Sequence, residues 1–192
     1  MSPRKPVEPG STYRGEAARR RGSAAHVTLL RHGEPDWSPD GHAVEDPGLT
    51  PYGHEQAQRA AQALAEEPID CIYVSPYRRS QETAVPLAEA TGIEPVTIPD
   101  LREVGVAVGA RASQEEVDRY FVEAARRPLA EHWDGWPGAE RFTEFHERVT
   151  NAMVEVLARH GVRPEKEHDC TVWDVPEPGP LIVIVAHGGT NA

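Results

Sequence analysis

Two apolar runs of this chain end in the same way, with a histidine followed by a glycine. The run at 27–30 leads into His32, and the run at 181–185 leads into His187. Runs that are apolar at consecutive positions are typical of strands covered on both faces, as in parallel sheets. Ligands of open α/β sheets bind beyond the carboxyl ends of the strands, so we expect both histidines in one crevice.

Helical segments alternate with the predicted strands. The strands are predicted at 27–30, 69–74, 95–98 and 181–185. Helix starts are predicted where a capping residue precedes proline, at Thr50-Pro51 and Ser75-Pro76, at the capping-box spacing Ser113…Glu116, and at Phe142. Pro68, Gly92 and Gly161 are the expected stops, and loops are expected at 34–49 and 133–138. This order predicts an α/β fold: a three-layer sandwich whose mostly parallel central sheet is flanked by helices.

The length of 192 residues suggests one folded domain, which we place at 26–192. Residues 1–25 are rich in Pro, Gly and Ser and hold six basic residues against two acidic ones, so we expect a disordered basic leader. Residues 104–140 are the expected cap or specificity insertion. Residues 162–180 are charged and Pro-rich, and we expect a surface excursion there.

Composition and charge exclude several classes of protein. The net charge is −11, and an acidic domain repels polyanions, so no nucleic-acid partner is expected. The absence of a long apolar run speaks against a membrane partner and a secretory signal. Two cysteines make no disulfide framework, and His168-Asp169-Cys170 lacks the spaced partner that a metal site needs. We expect a cytoplasmic bacterial protein; its oligomeric state is not assigned.

Arginines accompany both sides of the expected crevice. Arg31 precedes His32, and Arg79 falls in the first turn of the helix predicted after Ser75-Pro76, with Arg78 as its rival. The planar fork of arginine pairs with phosphate oxygens, and positioned positive charge is most of what phosphoryl transfer requires. Two arginines are also expected to keep the imidazole of His32 neutral.

The motifs that surround this crevice occur together in the order of a known family. They are Leu30-Arg31-His32-Gly33-Glu34, Leu49-Thr50…Gly53…Gln56-Ala57, Ser75…Arg79…Thr83-Ala84, Leu101…Glu103 and His187-Gly188-Gly189. On these residues the chain resembles the histidine phosphatase superfamily, which includes cofactor-dependent phosphoglycerate mutase, over about 26–192. The resemblance implies a phosphoglycerate mutase-like fold.

The resemblance also implies a role for each matched side chain. His32 corresponds to the family nucleophile, which becomes a phosphohistidine. Arg31, Arg79 and His187 correspond to the residues that hold the phosphoryl oxygens. Glu103 stands where the family places the proton donor, which later acts as the base.

Other positions bear on substrate binding. Gly188 lets the backbone approach a ligand closely, and it separates this chain from the family branch that has aspartate after the second histidine. Ser38 stands where the family often has an asparagine that contacts phosphate, and its hydroxyl is a candidate substitute. Glu34 is the rival proton donor. Trp37, Trp133 and Trp136 either line a pocket or are ordinary loop aromatics.

The function that the resemblance implies is a metal-independent phosphomonoesterase, without a cofactor, that acts on a small phosphorylated substrate through phosphohistidine. One alternative is a cofactor-dependent phosphoglycerate mutase, although 104–109 lacks the Arg/Tyr-rich stretch that mutases carry there. A non-catalytic phospholigand-binding module is the other. Family members continue past the second His-Gly, so we expect a chain ending at Ala192 to be truncated.

Overall fold

A computed structural model of the protein describes residues 24–105, 112–136 and 138–192. Its strands are β1 (His26–Arg31), β2 (Cys71–Val74), β3 (Val96–Thr97), β4 (Arg163–Glu167), β5 (Cys170–Asp174) and β6 (Leu181–Ala186). Its α-helices are α1 (Pro51–Leu64), α2 (Arg78–Thr91), α3 (Gln114–Ala125) and α4 (Phe142–Arg159). Short 3-10 helices cover Pro99–Leu101 and Leu129–Asp134.

Four parallel strands form the central sheet, in the order β1-β6-β2-β3. Their register pairs His26 with Leu181 and Arg31 with Ala186, so β1 and β6 end at the same level. All six residues of β6 are buried, which explains why this strand has the most continuous apolar sequence.

Helices cover the sheet on both faces. Residues of α1 and α2 pack with one set of strand side chains, which includes Ile72, Val74 and Val183. On the opposite face α4 packs with the alternate set, which includes Ile182 and Ile184. Each such buried aliphatic side chain contributes ~1.5–3 kcal/mol through removal from water. The predicted three-layer α/β sandwich is therefore confirmed.

The helix ends follow the capping residues. The N–H of Gly53 donates to Thr50 Oγ1 at 3.0 Å, as the Thr50-Pro51 start predicts. The N–H of Ser113 donates to Glu116 Oε2 at 2.8 Å, and the N–H of Glu116 donates to Ser113 Oγ at 3.4 Å, which together form the predicted capping box. Helix α2 ends at Gly92, whose φ of +68° is the left-handed conformation that glycine adopts without strain.

Strand β1 departs from the prediction that it is covered on both faces. Val27 is 42% exposed and Leu29 is 46% exposed. Because β1 lies at the edge of the sheet, α4 packs on β6 and β2 and does not cover this end of the same face. An apolar run alone therefore did not distinguish a central strand from an edge strand.

Two local predictions were wrong, and a third was incomplete. Ser75 does not cap a helix, because α2 begins at Arg78 and its cap position is Tyr77. The segment expected as a loop at 133–138 partly continues the 3-10 helix that ends at Asp134. The segment at 162–180 does lie at the surface, since every residue of β4 and β5 is exposed, but the two strands also pair as an antiparallel hairpin, which was not predicted.

Some domain predictions fall on residues that are not described. Residues 1–23, which make up most of the predicted leader, and 106–111 of the predicted cap lie outside the described part, and the expected C-terminal truncation stays a prediction. The N–H of Gly105 donates to Glu140 Oε2 at 3.3 Å, so the two ends of the segment 104–140 lie next to each other. Within the described ranges, no helix is both long and apolar enough to cross a membrane.

Candidate active site

The two histidines meet at the carboxyl edge of the sheet. His32 follows β1, His187 follows the neighbouring β6, and the N–H of His32 donates to the carbonyl of Ala186 at 3.0 Å. The centroids of the two imidazole rings are 5.1 Å apart, with an angle of 60° between the ring planes. Parallel pairing of the strands thus brings together two side chains from opposite ends of the described chain.

The imidazole of His32 is held in one tautomer. Its Nδ1 donates to the carbonyl of Gly33 at 2.7 Å, which leaves Nε2 with the free lone pair. Burial lowers the pKa of His32; the charges of Arg79 and Arg31 lower it further, while the hydrogen bond to Gly33 and the charge of Glu103 act in the opposite direction. The expected neutral imidazole is therefore favoured, although burial and not the arginines is the larger cause.

The backbone behind His32 is pressed against the start of α1. A Cβ added to Gly33 would lie 2.4 Å from the carbonyl oxygen of Gly53, and one added to Gly53 would lie 2.2 Å from that of Glu34. The N–H of Gly33 donates to Thr83 Oγ1 at 3.0 Å, which ties the same backbone to α2. Glycine at both positions is what allows this close approach.

His187 is fully buried and neutral. Burial lowers its pKa to about 2, with smaller electrostatic contributions from Arg79, His32, Arg31 and Arg148. Its Nε2 lies 2.7 Å from Ser75 Oγ, and the N–H of Tyr77 donates to that same oxygen at 3.3 Å. Because Ser75 Oγ already accepts from Tyr77, its own hydrogen is available to Nε2, which puts the ring proton on Nδ1. Nδ1 has no hydrogen-bond partner in the described structure and is free to donate to a bound anion.

Arg79 is the buried cation of the site. Its side chain lies against the rings of Trp37 and Tyr77, with Cζ 5.1 and 4.5 Å from their centroids. Burial lowers its pKa, and electrostatic interactions with Asp46, Tyr77 and Glu103 oppose that shift. Nε and Nη1 of Arg79 are buried and make no hydrogen bond among the described atoms; the nearest carboxylate oxygen to Nη1, on Asp46, is 3.6 Å away. Buried donors of this kind need an acceptor, and an anion supplies one.

The rival Arg78 points elsewhere. It is exposed, and its Nε donates to Glu82 Oε1 at 2.7 Å one turn along α2. Arg31 is the last residue of β1, and its guanidinium carbon lies 3.5 Å from the place that a Cβ of Gly188 would occupy. The three cationic or donor side chains of Arg31, Arg79 and His187, called here the anion cradle, therefore surround the ring of His32.

Glu103 reaches the same place from the loop after Pro99–Leu101. Its Oε2 accepts from the N–H of Gly189 at 3.0 Å, and its Oε1 accepts from the N–H of Val104 at 3.0 Å. Its charge acts on both His32 and Arg79. The rival carboxylate, Glu34, instead accepts from the hydroxyl of Thr50 at 2.7 Å, at the start of α1.

Other predicted positions are not brought into the cradle. Ser38 makes its backbone hydrogen bonds within its own turn: its N–H donates to Asp36 Oδ1 at 3.3 Å, and its carbonyl accepts from Gly41. Trp136 packs edge-on against Phe121 and Phe142 in a separate aromatic cluster. Trp133 is exposed, so Trp37 alone of the three tryptophans borders the anion cradle.

Several residues of this site have no role in it that the sequence pattern predicts. Ser75 and Thr83 belong to one of the family motifs, and the pattern predicts Ser75 only as a helix cap. Asp46 lies in the Pro- and Gly-rich loop at 34–49, where nothing in the pattern marked it. One indication was available for Ser75. It is a small polar residue directly after a buried strand, at the level where the neighbouring strand ends in histidine.

The arrangement suits a tetrahedral dianion. It offers unpartnered donors on Arg79 and His187 and an imidazole whose free lone pair is on Nε2. Across the described ranges, no group of three or more potential metal ligands comes together.

Comparisons with known proteins agree with this geometry. Over 137 residues, which are 70% of this chain and 65% of the relative, the chain is 34% identical to phosphoserine phosphatase 1 of Hydrogenobacter thermophilus. It is 36% identical over 143 residues to a probable phosphoglycerate mutase of Serratia proteamaculans, with 68% of this chain and 62% of that protein covered. The native structure of mycobacterial glucosyl-3-phosphoglycerate phosphatase superposes with a TM-score of 0.64 at 29% identity, over 87% of this chain and 76% of that one.

Both curated relatives are longer than their matched regions, which cover less than two thirds of each. The family model of the histidine phosphatase superfamily (branch 1) matches residues 27–192, from the middle of β1 through both histidines. Because that match covers nearly all of the described residues, the protein belongs to the histidine phosphatase superfamily, branch 1.

Proposed function

We propose that this protein is a phosphomonoesterase that hydrolyses a small phosphorylated substrate through a phosphohistidine on His32. The observation that carries the proposal is the pair of imidazole rings 5.1 Å apart beside Arg79, a buried arginine whose Nε and Nη1 have no partner in the described structure. The relatives named as phosphatases support the reaction class.

In the first step the lone pair on Nε2 of His32 forms a bond to phosphorus. The bond from phosphorus to the ester oxygen breaks, and its electron pair stays on that oxygen, which takes a proton from the carboxyl group of Glu103. Arg31, Arg79 and His187 hold the three non-bridging oxygens, where charge is concentrated in the transition state.

In the second step water attacks the phosphohistidine. Glu103, now a carboxylate, takes a proton from the water as its oxygen bonds to phosphorus, and the phosphorus–nitrogen bond breaks with its electrons returning to Nε2. Inorganic phosphate leaves, and both residues regain their starting protonation. The arginines supply the positive charge for both steps, so we expect no cofactor and full activity in the presence of a chelator.

Hydrolysis of 4-nitrophenyl phosphate by the wild-type protein and by His32→Ala tests this proposal. We expect the variant to fall to the background rate and to trap no phosphoenzyme on acid quenching. His26→Ala is the matched control, because His26 lies on the same strand at the opposite edge of the sheet and is exposed. Equal rates for wild type and His32→Ala would refute the proposal.

Phosphoglycerate mutase is the second candidate, since one relative carries that name. The two activities differ in what attacks the phosphohistidine: water in a phosphatase, a hydroxyl of a second phosphoglycerate in a mutase. Interconversion of 2- and 3-phosphoglycerate that depends on a bisphosphoglycerate primer would favour the mutase. Release of inorganic phosphate without such interconversion would favour the phosphatase.

We also propose that the protein acts in the bacterial cytoplasm, on a small phosphoester and with neither nucleic acid nor membrane as a partner. Its cysteines, Cys71 and Cys170, are both unpaired, which suits a reducing compartment. Its net charge of −11 disfavours polyanionic partners. Fractionation of the source cells tests the location, and a panel of phosphorylated metabolites tests the substrate.

A further inference from the structure

The loop that carries Glu103 depends on an arginine from a distant part of the chain. Arg148 lies on α4, and its Nη1 donates to the carbonyls of Asp100 at 2.8 Å and Arg102 at 2.9 Å. Its Nη2 donates to the carbonyl of Glu103 itself at 3.1 Å. Residues 102–105 are in neither helix nor strand, so these bonds replace the backbone pairing that regular structure would provide.

A second carboxylate fixes the orientation of Arg148. Glu140 accepts from Nε at 2.6 Å and from Nη2 at 2.7 Å, in the two-pronged geometry that guanidinium and carboxylate groups prefer. The side chains are only 12% and 16% exposed. Although burial alone would raise the pKa of Glu140, hydrogen bonds from Arg148 and Gly105 and the nearby positive charges lower it, so the pair stays ionised at neutral pH.

The same loop is held on its other side by the segment after β6. The hydroxyl of Thr190 donates to the carbonyl of Arg102 at 3.3 Å, and the N–H of Gly189 donates to the carboxylate of Glu103 at 3.0 Å. Glu103 therefore sits between two supports. One of them follows His187 directly, and the other is the Arg148–Glu140 pair.

We infer that Arg148, oriented by Glu140, is a positioning residue that fixes Glu103 at the distance needed to protonate the leaving oxygen. The inference rests on the proposed function, since it assigns Arg148 an effect on proton transfer and not on phosphate binding. Arg148 touches the backbone of the Glu103 loop, whereas the anion cradle is built by other side chains. Loss of Arg148 should therefore slow formation of the phosphoenzyme from substrates that need a proton donor and spare it for those that do not. The later attack of water, for which Glu103 is the base, is common to all substrates.

Leaving groups of different basicity separate these cases. The leaving group of glycerol 3-phosphate is an alkoxide that must be protonated, whereas the leaving group of 4-nitrophenyl phosphate, 4-nitrophenolate, departs readily without a proton. Arg148→Met keeps a flexible, unbranched side chain in place of the aliphatic stem of arginine and removes its donors. We expect kcat/KM, which reports formation of the phosphoenzyme, to fall by ~10–100-fold on glycerol 3-phosphate, the size expected for a misplaced catalytic group, and by no more than ~3-fold on 4-nitrophenyl phosphate. The inhibition constant of inorganic phosphate should not change.

The matched control is Arg159→Met, on the same helix, because Arg159 also pairs with a carboxylate, Glu155 at 2.6 Å, but lies away from the Glu103 loop. It should leave both rates near wild type. In a Glu103→Gln background, Arg148→Met should cause no further loss on glycerol 3-phosphate, because the group that it positions is already gone. Glu140→Gln should reproduce the dependence on the leaving group at smaller size, even if Arg148→Met fails to fold.

Two results would overturn the inference. One is an equal loss on both substrates by Arg148→Met or Glu140→Gln, and the other is an additive loss in the Glu103→Gln background. Failure of the proposed function looks different, since His32→Ala would then hydrolyse 4-nitrophenyl phosphate at the wild-type rate. Inactive His32→Ala together with equal losses in the Arg148 variant would refute only the role given to Arg148.

Discussion

Replacement of Ser75 by alanine tests how the second histidine of the site is prepared. The hydroxyl of Ser75 connects the N–H of Tyr77 to Nε2 of His187 in a fully buried position. Alanine removes that connection and leaves Nε2 without a donor. The ring then has no reason to keep its proton on Nδ1, the nitrogen that is free to donate to a phosphoryl oxygen.

The magnitude follows from the bonds that are lost. A hydrogen bond from His187 to a charged phosphoryl oxygen contributes ~1.5–3 kcal/mol, and the unsatisfied Nε2 costs about 1–3 kcal/mol of stability. Since each 1.36 kcal/mol is a factor of ten in rate, kcat/KM for Ser75→Ala should fall by about 10–150-fold. Inhibition by orthovanadate should weaken in parallel, because the same donor holds the transition-state analogue.

Ser80→Ala is the matched control for this experiment. Ser80 is equally buried, lies in the first turn of α2, and its hydroxyl has no hydrogen-bond partner in the described structure. It should keep both kcat/KM and orthovanadate inhibition near wild type. A Ser75→Ala protein within ~3-fold of the wild-type kcat/KM, well below the loss of one such hydrogen bond, would refute the tautomer assignment. An equal loss in Ser80→Ala would assign the effect to packing instead.

Three further predictions concern charge, pH and packing. Arg79→Lys keeps the charge but loses the planar fork, so kcat/KM should fall by ~10²–10³-fold, whereas Arg78→Lys on the exposed side of the same helix should stay near wild type in the same steady-state assay. The pKa of His187 is lowered from 6.5 to about 2, so on acidification the unfolded chain binds a proton at this residue before the folded protein does; the resulting contribution to stability is complete above pH 6.5 and is lost as the pH falls toward 2. Denaturant titrations at several pH values measure this loss. A free energy of unfolding that rises on acidification through pH 6 would contradict the prediction. Gly53→Ala would put a Cβ 2.2 Å from the carbonyl oxygen of Glu34, so we expect the free energy of unfolding to fall by about 1–3 kcal/mol. Thermal or denaturant unfolding measures this loss, and an unchanged melting temperature would show that the two backbone segments can move apart.

Local sequence patterns predicted most of the helices and strands that hold the site. The Thr50-Pro51 start depends on one residue and its immediate neighbours, and so does the stop at Gly92, so both are visible without the fold. The meeting of His32 and His187 was predictable for a different reason. Parallel pairing forces strands that end in the same motif to place it at the same edge.

The interactions that the sequence did not predict depend on which partner the fold brings to a residue and not on the residue itself. Ser75 before proline has the pattern of a helix cap, but in the folded protein its hydroxyl forms a hydrogen bond with the buried imidazole of His187. Arg148 is one of several arginines on polar helix faces, and only the fold brings it beneath the carbonyls of a loop far away in the sequence. The exposure of Val27 and Leu29 likewise depends on strand order, which the sequence of β1 does not contain.

The order of the central sheet has a consequence for how the protein is made. Strand β6 lies between β1 and β2, yet it is the last of the described strands to leave the ribosome. Until it arrives, β1 and β2 each lack the neighbour that their backbone groups require, and the site lacks one of its two imidazoles. A phosphate ion that binds both halves of the site therefore recognises only the completed sheet. Added phosphate should slow global unfolding in proportion to its occupancy, and it should give no protection to a nascent chain that stops short of residue 181.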